Sequence, residues 1–216
     1  MKFVNAKAEI LTPINSGDIL RHLEVCGRTC YKSEGRITDE SAAEFVRGII
    51  KRGHETVLEH ISLTVRFTVD RGVSHELVRH RIASFSQEST RYCNYGNTDD
   101  GCTFIRPFWL SSARVACVIG TSVQYEAWRN AMRSAEVAYL RMLECGATPQ
   151  EARSVLPNSL KTEVVMTANL REWRHFFKLR ALGASGKPHP QMLEVAVPLL
   201  HELQRRLPVV FEDLEV

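Results

Sequence analysis

The residues best equipped for chemistry crowd into one run, Arg79-His80-Arg81-Ile82-Ala83-Ser84-Phe85-Ser86-Gln87-Glu88-Ser89-Thr90-Arg91. Neighbours on a helix project about 100° apart, so Arg79 and Arg81 cannot share one surface carboxylate as an i,i+4 pair does. A cluster of this kind is satisfied by anions on more than one side. A ligand bearing phosphates is the simplest supplier, because guanidinium groups grip phosphate oxygens bidentately. Hydroxyls such as Ser84 and Ser89, with backbone N–H groups, fill the remaining acceptor positions. The competing reading of such a run is a solvated surface whose exposed ion pairs carry little energy.

Three other patterns bear on the chemistry. His54-Glu55-Thr56-Val57-Leu58-Glu59-His60 has the composition of a metal-binding helix. HExxH places its histidines four apart on one helical face, whereas these are six apart, so no metal is expected. Ser84, Ser89 and His80 suggest a serine hydrolase, but there is no GxSxG elbow and no acid at a familiar spacing. No GxGxxG fingerprint is present, so a Rossmann-type site is not expected, and any dinucleotide would be held by arginines, turn amides and stacked side chains. Taken alone, Arg153 reads as a solvated helix residue. Asn169 to Arg180 reads as an amphipathic core helix carrying Trp173, Phe176 and Phe177.

The order of the residues says more than their charge. Arg79, His80, Arg81, Ser84, Ser89 and Arg91 meet every fixed position of the RHRxxSxxxxSxR signature, and the run resembles that of the flavin-dependent thymidylate synthase family. Ala152-Arg153-Ser154-Val155-Leu156-Pro157 resembles its ARxxLP block, and Asn169, Arg171, His175 and Arg180 resemble its NxRxxxHFxxLR block. His54-Glu55-Thr56 with Glu59-His60 resembles another block, and Gln191 and Glu194 echo a downstream Gln-X-X-Glu element. Together the blocks reach from about Cys26 to Glu194.

The resemblance implies reductive methylation of dUMP to dTMP. Carbon would come from 5,10-methylenetetrahydrofolate and hydride from reduced FAD, with NADPH refilling the flavin. It also implies that dUMP meets Glu76, Arg79, Gln87, Glu88, Ser89, Thr90, Arg91, Arg153 and Arg180, with Arg180 the catalytic group at the pyrimidine edge. FAD would meet His54, Thr56, Arg79, His80, Arg81, Gln87, Asn169, Arg171 and His175. Ser86-Gln87 stands where some members carry Asn-Glu, and Glu76 where some carry Gln. A homotetramer with active sites at subunit interfaces is implied, with no nucleic-acid or membrane partner. No cysteine stands in a motif that would attack uracil C6, so no covalent enzyme–nucleotide adduct is expected. Two other classes stay open at this point: a nucleic-acid-binding module, and a flavoprotein of another reaction.

The elements that must position these residues follow from periodicity. A 216-residue chain with 44% hydrophobic and 25% charged residues is ordinary globular material for one compact domain. A net charge of +3 does not by itself imply a nucleic-acid or membrane surface. No stretch approaches the roughly 18 apolar residues of a membrane span, and the first residues lack a signal-peptide core, so a cytoplasmic location is the expectation. The six cysteines, Cys26, Cys30, Cys93, Cys102, Cys117 and Cys145, have irregular spacings and are expected as reduced thiols.

Val4 to Ile14 reads as an edge strand, Ile19 to Tyr31 as a helix and Lys32 to Gly35 as a turn. Thr38 to Arg52 follows as a helix capped by Thr38 or Asp39 and stopped at Gly53. His54 to Thr56 opens a linker into a strand over Ile61 to Val69, which alternates without a fault. The pattern predicts a helix over Val73 to Arg81 that delivers the arginine cluster, then an irregular segment from Ser84 to Gly101. A long helix over Ser122 to Cys145 would pack Val123, Ala127, Ala131, Ala135, Ala138 and Met142. Thr148-Pro149-Gln150-Glu151 is a capping box. A strand over Leu160 to Ala168, a helix capped by Asn169 and a last helix over Pro190 to Leu207 containing Pro198 complete the chain. Strands and helices mix without βαβ regularity, so the expected class is α+β with a mixed or antiparallel sheet, not Rossmann.

Overall fold

The computed structural model describes residues 1–110 and 119–216, with side chains from Ser122 onward in the helix that opens the second stretch. Cys117 lies outside the described residues. Two compact units emerge. Unit 1 comprises Met1–Lys7, Phe67–Arg79 and Ser86–Val164; unit 2 comprises Ala8–Arg66, His80–Phe85 and Val165–Val216.

The strands are β1 (Lys2–Val4), β2 (Lys7–Ile10), β3 (Ser62–Asp70), β4 (Ala83–Gln87), β5 (Thr103–Ile105) and β6 (Lys161–Asn169). One sheet has the order β2-β3-β6-β4, and β1 and β5 form a separate pair. That pair is parallel, with Phe3 opposite Phe104, while an antiparallel bridge joins Phe104 to Leu160. The class is α+β with mixed sheets, as the lack of βαβ regularity suggested. The segment expected as one edge strand instead divides into β1 and β2, which belong to different sheets.

The helices are α1 (Ser16–Thr29), α2 (Ser41–Lys51), α3 (Arg71–Leu77), α4 (Ile119–Glu144), α5 (Pro149–Ala152), α6 (Leu170–Arg180), α7 (Pro190–Arg206) and α8 (Pro208–Phe211). Helix α2 starts later than expected. Its N-cap is Glu40, which makes no side-chain cap bond, and the Ser41 hydroxyl accepts from the Thr38 N–H instead. Gly53 does stop it, at φ 75°, a conformation in which a side chain would be strained. The supposed linker at Glu55–His60 is a 3₁₀ turn.

In unit 1, Cys102, Phe104, Met132, Tyr139, Ala152 and Leu160 form the core, with Phe3 and Trp128 packed against it. The buried face of α4 is therefore Met132, Glu136 and Tyr139; Val123, Ala127 and Ala131 are exposed. The alanine stripe misled because burial follows the bulkier face, where aromatic area outweighs methyl groups. Glu136 belongs on that face because its Oε1 accepts from the Cys102 N–H at 2.9 Å and lies 3.0 Å from the N-terminal ammonium. The α5 capping box forms as read.

In unit 2, the aromatic face of α6 is buried. Trp173, Phe176 and Phe177 are each 0% exposed, and the Trp173 Nε1–H donates to the Leu63 carbonyl at 3.1 Å. Arg174 is buried beside them. Its guanidinium donates to both Asp213 oxygens at 2.7 Å, to Glu55 at 3.1 Å and to the Val210 carbonyl. Burial pushes the Arg174 pKa down, but the Asp213 and Glu55 carboxylates outweigh it, and the charge is kept.

Candidate active site

Each unit carries its own cavity with cationic side chains. In unit 1, α3 begins at Asp70, whose Oδ1 accepts from the Val73 N–H at 2.7 Å. The helix stops at Leu77, so Arg79 to Arg81 lie beyond it rather than at its end. Arg79 is exposed and Glu76 half-buried. The segment read as irregular begins as β4, a polar edge strand, and turns at Ser89. There the Ser89 carbonyl accepts from the Tyr92 and Cys93 N–H groups, and its hydroxyl accepts from the Arg91 N–H at 3.3 Å.

This turn walls a cavity of about 430 Å³ lined by Arg71, Thr90, Gln150, Arg153, Ser154 and Asn158, among others. The Arg153 Nη1–H donates to the buried Thr90 hydroxyl at 3.1 Å, and the Arg91 Nε–H to the Gln150 amide oxygen at 2.9 Å. Both partners are neutral. The Gln87 amide donates to Ser74 at 3.1 Å and to Thr162 at 3.3 Å, which anchors β4.

Glu88, expected at the nucleotide, is bonded within unit 1. Its carboxylate accepts from the Tyr95 hydroxyl at 2.9 Å, from Lys161 at 2.8 Å and from the Glu163 N–H at 3.2 Å, while its own N–H donates to the Glu163 carbonyl. Burial pushes the Lys161 ammonium down, but Glu88 outweighs it; the Tyr95 phenol is pushed well up by burial and then by Glu88. One oxygen of the Glu88 carboxylate is shared by Lys161 and the Glu163 N–H and the other is met by Tyr95, so the side chain is held within its own unit before any ligand arrives.

In unit 2, Asn169 ends β6 and caps α6, its Oδ1 accepting from the Glu172 N–H at 2.8 Å. The Glu172 side chain is thereby aimed at His80, which is 4% exposed. The His80 Nδ1–H donates to Glu172 Oε1 at 2.9 Å, and the Arg180 Nε–H donates to His80 Nε2 at 3.2 Å. The imidazole is thus neutral with one defined tautomer. Its pKa lies below 6.5, chiefly through burial, with Arg180 and His175 adding to that and Glu172 opposing it. A cavity of about 410 Å³ opens beside the cluster, lined by Glu55, Ile82, Asn169, Arg171, Glu172, His175 and Lys178. Arg171 pairs with Glu59 at 2.6 Å, both exposed, and Arg81 is exposed without an ion pair among the described residues.

Two placements differ from the grouping expected for a flavin. His54 and Thr56 line another cavity, of about 300 Å³, with Gly27, Phe45 and Arg52. The ligand atoms of His80, Glu172 and His175 lie within 4.8 Å of one another, a spacing open to a metal ion. However, both His80 nitrogens are taken, one by Glu172 and one by a guanidinium, so the set does not suit a cation. Sequence reasoning missed Glu172 and Arg71. Glu172 carried a signal as the third residue of a capping box, but its side chain points to His80 rather than back to the cap. Arg71 stood in a strand-to-helix turn with no motif around it. The five described cysteines are free thiols, and no helix among the described residues is long and apolar enough to cross a membrane.

Comparison with known proteins adds three findings. The family profile described as thymidylate synthase complementing protein matches residues 15–209. The chain is 32% identical over 196 residues to the flavin-dependent thymidylate synthase of Geobacter sulfurreducens, covering 88% of this chain and 79% of that one. It is 34% identical over 213 residues to the enzyme of the same name from a Mycobacterium species, covering 90% and 79%. Among solved structures, the UMP/dUMP methylase PolB from Streptomyces cacaoi, bound with 5-Br dUMP, shares the fold at TM-score 0.79 and 23% identity, covering 98% of this chain and 96% of that one.

Proposed function

The chain belongs to the flavin-dependent thymidylate synthase family, and from that premise we propose that it methylates dUMP to dTMP, with 5,10-methylenetetrahydrofolate as carbon donor. FAD is the proposed cofactor and NADPH its reductant. The observation that carries this reading is the line Glu172–His80–Arg180. Uracil C5 is a poor nucleophile until negative charge spreads over N3 and the C4 carbonyl. A guanidinium held at that edge stabilises the charge as it develops, an electrostatic contribution that needs the group oriented beforehand. His80 supplies the orientation: neutral and tautomerically fixed, it accepts the Arg180 Nε–H and sets the guanidinium plane without a competing positive charge.

The residues present suit a flavin dinucleotide. Arg171 and Lys178 at the 410 Å³ cavity, with exposed Arg79 and Arg81, offer the cations that a pyrophosphate needs where no glycine-rich turn supplies amides. Asn169 and His175 line the same cavity and would contact FAD, as would His80 and Gln87; His54 and Thr56 would meet it from their own cavity. When bound, the flavin supplies the hydride. The nucleotide phosphate falls to Arg91 and Arg153 with the Thr90 and Ser89 hydroxyls and adjacent amides, and Glu76 and Arg79 are assigned to the nucleotide by resemblance. The Ser89 hydroxyl accepts from a turn amide and has no adjacent base, so it binds rather than attacks, and no enzyme–nucleotide adduct forms. We further propose a homotetramer in which neighbouring copies contribute to one site.

The test starts with the visible spectrum of the purified protein. A yellow protein whose flavin bands shift on adding dUMP, and which forms dTMP when given folate and NADPH, supports the reading. A colourless protein that refuses FAD and instead binds RNA or DNA with steep salt dependence would overturn it, as would a monomer by light scattering for the tetramer.

A further inference from the structure

We propose that Arg71 is a third ligand of the nucleotide phosphate, acting with Arg153 on the same terminal phosphate and making no contact with the base. The proposal rests on the reading of the 430 Å³ cavity of unit 1 as the phosphate site. Arg71 opens α3, and its backbone N–H donates to the Asn158 carbonyl at 2.9 Å. That bond pins the root of the side chain to Asn158, which also lines the cavity. Arg71 lines the cavity, and its guanidinium Nη1 is buried with no hydrogen-bond partner among the described residues.

A guanidinium nitrogen removed from water is normally matched by a carboxylate or carbonyl. Among the described residues, the charged ones lining the cavity, Arg71 and Arg153, are both cations, and no carboxylate lines it. Glu88, the acid two residues before Thr90, is bound to Lys161 and Tyr95. Arg153 meets only a neutral hydroxyl. Two positive charges, one hydroxyl and one open guanidinium donor form a receptor for a compact dianion. A phosphate monoester fits that chemistry, since a second substituent on phosphorus would remove one of the charges the arginines answer. The cavity thus selects a nucleoside monophosphate over the free nucleoside.

The experiment compares flavin-loaded wild type, Arg71→Met and Arg71→Lys by calorimetric titration with dUMP and with deoxyuridine, and by competition of inorganic phosphate against dUMP. A lost hydrogen bond to a charged group corresponds to about a 10- to 150-fold loss of affinity. Arg71→Met should lose dUMP affinity in that range, Arg71→Lys less, and deoxyuridine binding should stay within about twofold because no base contact is touched. Phosphate competition should weaken in step with dUMP. Equal loss of dUMP and deoxyuridine, or no loss of either, overturns the assignment and makes Arg71 a structural residue. If wild type ignores dUMP yet binds inorganic phosphate in an Arg71-dependent way, the anion receptor stands and the thymidylate reading falls. If wild type binds dUMP and both variants match it, the reading stands and the assignment falls. Should Arg71→Met not fold, Arg71→Lys carries the same comparison.

Discussion

The arginines of helix α6 in unit 2 meet partners of their own unit, whereas those around the unit 1 cavity meet no acid among the described residues. Arg174 is bidentate to Asp213 and also holds Glu55, and Arg171 pairs with Glu59. Arg180 meets His80, which Glu172 supports from behind. In unit 1, Arg153 and Arg91 bond to neutral oxygens and Arg71 Nη1 to nothing described. The difference separates two uses of one residue type. A guanidinium compensated by its own chain holds a position, so its orientation is available before any ligand arrives. A guanidinium with neutral partners keeps its charge for a ligand that brings its own.

The sharpest way to break this contrast is Arg180→Lys. A lysine keeps the charge but loses the Nε donor to His80 and the planar fork. Turnover should drop about 100- to 1000-fold, the usual cost of removing one preorganised charge-stabilising donor. KM for dUMP should change far less, because the phosphate is assigned to other arginines, and the melting temperature should stay near wild type. Steady-state kinetics decide it. A risen KM with unchanged kcat would make Arg180 a ground-state ligand only.

Next in size is Glu88→Gln. Glu88 and Lys161 have side chains only 16% and 21% exposed, so neutralising the acid leaves a half-buried ammonium weakly matched. A loss of about 2 kcal/mol is expected, read as a lower urea midpoint and discounted for the remaining solvent. Affinity for dUMP in the folded protein should hold. A tenfold weaker nucleotide with an unmoved midpoint would restore Glu88 to the binding surface.

These two residues also show what the sequence could reveal. Arg180, His80 and Arg153 were legible because motif spacing is a local property, and spacing survives folding. So were β3, β6 and α6, whose burial alternates or repeats as their patterns demand. Glu88 reads as a ligand from its place inside the motif; its bonds to Lys161 and Glu163, remote in sequence, are tertiary contacts that spacing does not show. β4 was hidden because its sequence, Ala-Ser-Phe-Ser-Gln, is too polar to resemble a strand, and its place at the end of the four-strand order asks for no second buried face. The α3 boundary failed for a related reason. A helix continued through Arg81 would fix His80 by helical phase, whereas its seat beside Glu172 is set by tertiary contacts, which outrank propensity.

A smaller effect tests whether the unit 2 cluster is neutral at its centre. The His80 pKa is below 6.5 in the folded protein, while the unfolded chain takes up its proton near the ordinary value. Stability from this residue is therefore full above that value and is lost as pH falls beneath it, because the unfolded state gains the proton first. The slope cannot exceed about 1.4 kcal/mol per pH unit for one group. The groups facing it, Glu172, Arg180 and His175, are unchanged in His80→Gln. Urea midpoints of wild type and His80→Gln, compared from about pH 7 downward, should converge as the acid range is entered. Parallel profiles would mean that folding does not shift the His80 proton equilibrium, and profiles that diverge toward acid would mean that His80 is charged in the folded state; either would remove the tautomer argument for Arg180.

The smallest effect probes an exposed unit 2 pair whose arginine lines the 410 Å³ cavity. Arg171 and Glu59 are 49% and 45% exposed, so their 2.6 Å contact is a surface ion pair worth little to the fold. Glu59→Gln should therefore leave the melting temperature unchanged within error. It also removes the acid that competes with a flavin phosphate for Arg171. Since exposed pairs are worth about 0.2–1 kcal/mol, FAD affinity should rise by about 1.5- to 5-fold, measured by fluorescence quenching of added FAD. The gain should shrink with salt, because both the pair and its replacement are solvent-screened. Weaker FAD binding would instead show that Glu59 holds Arg171 in its working position. Arg171 would then belong with Arg180 among the arginines whose orientation the chain fixes in advance.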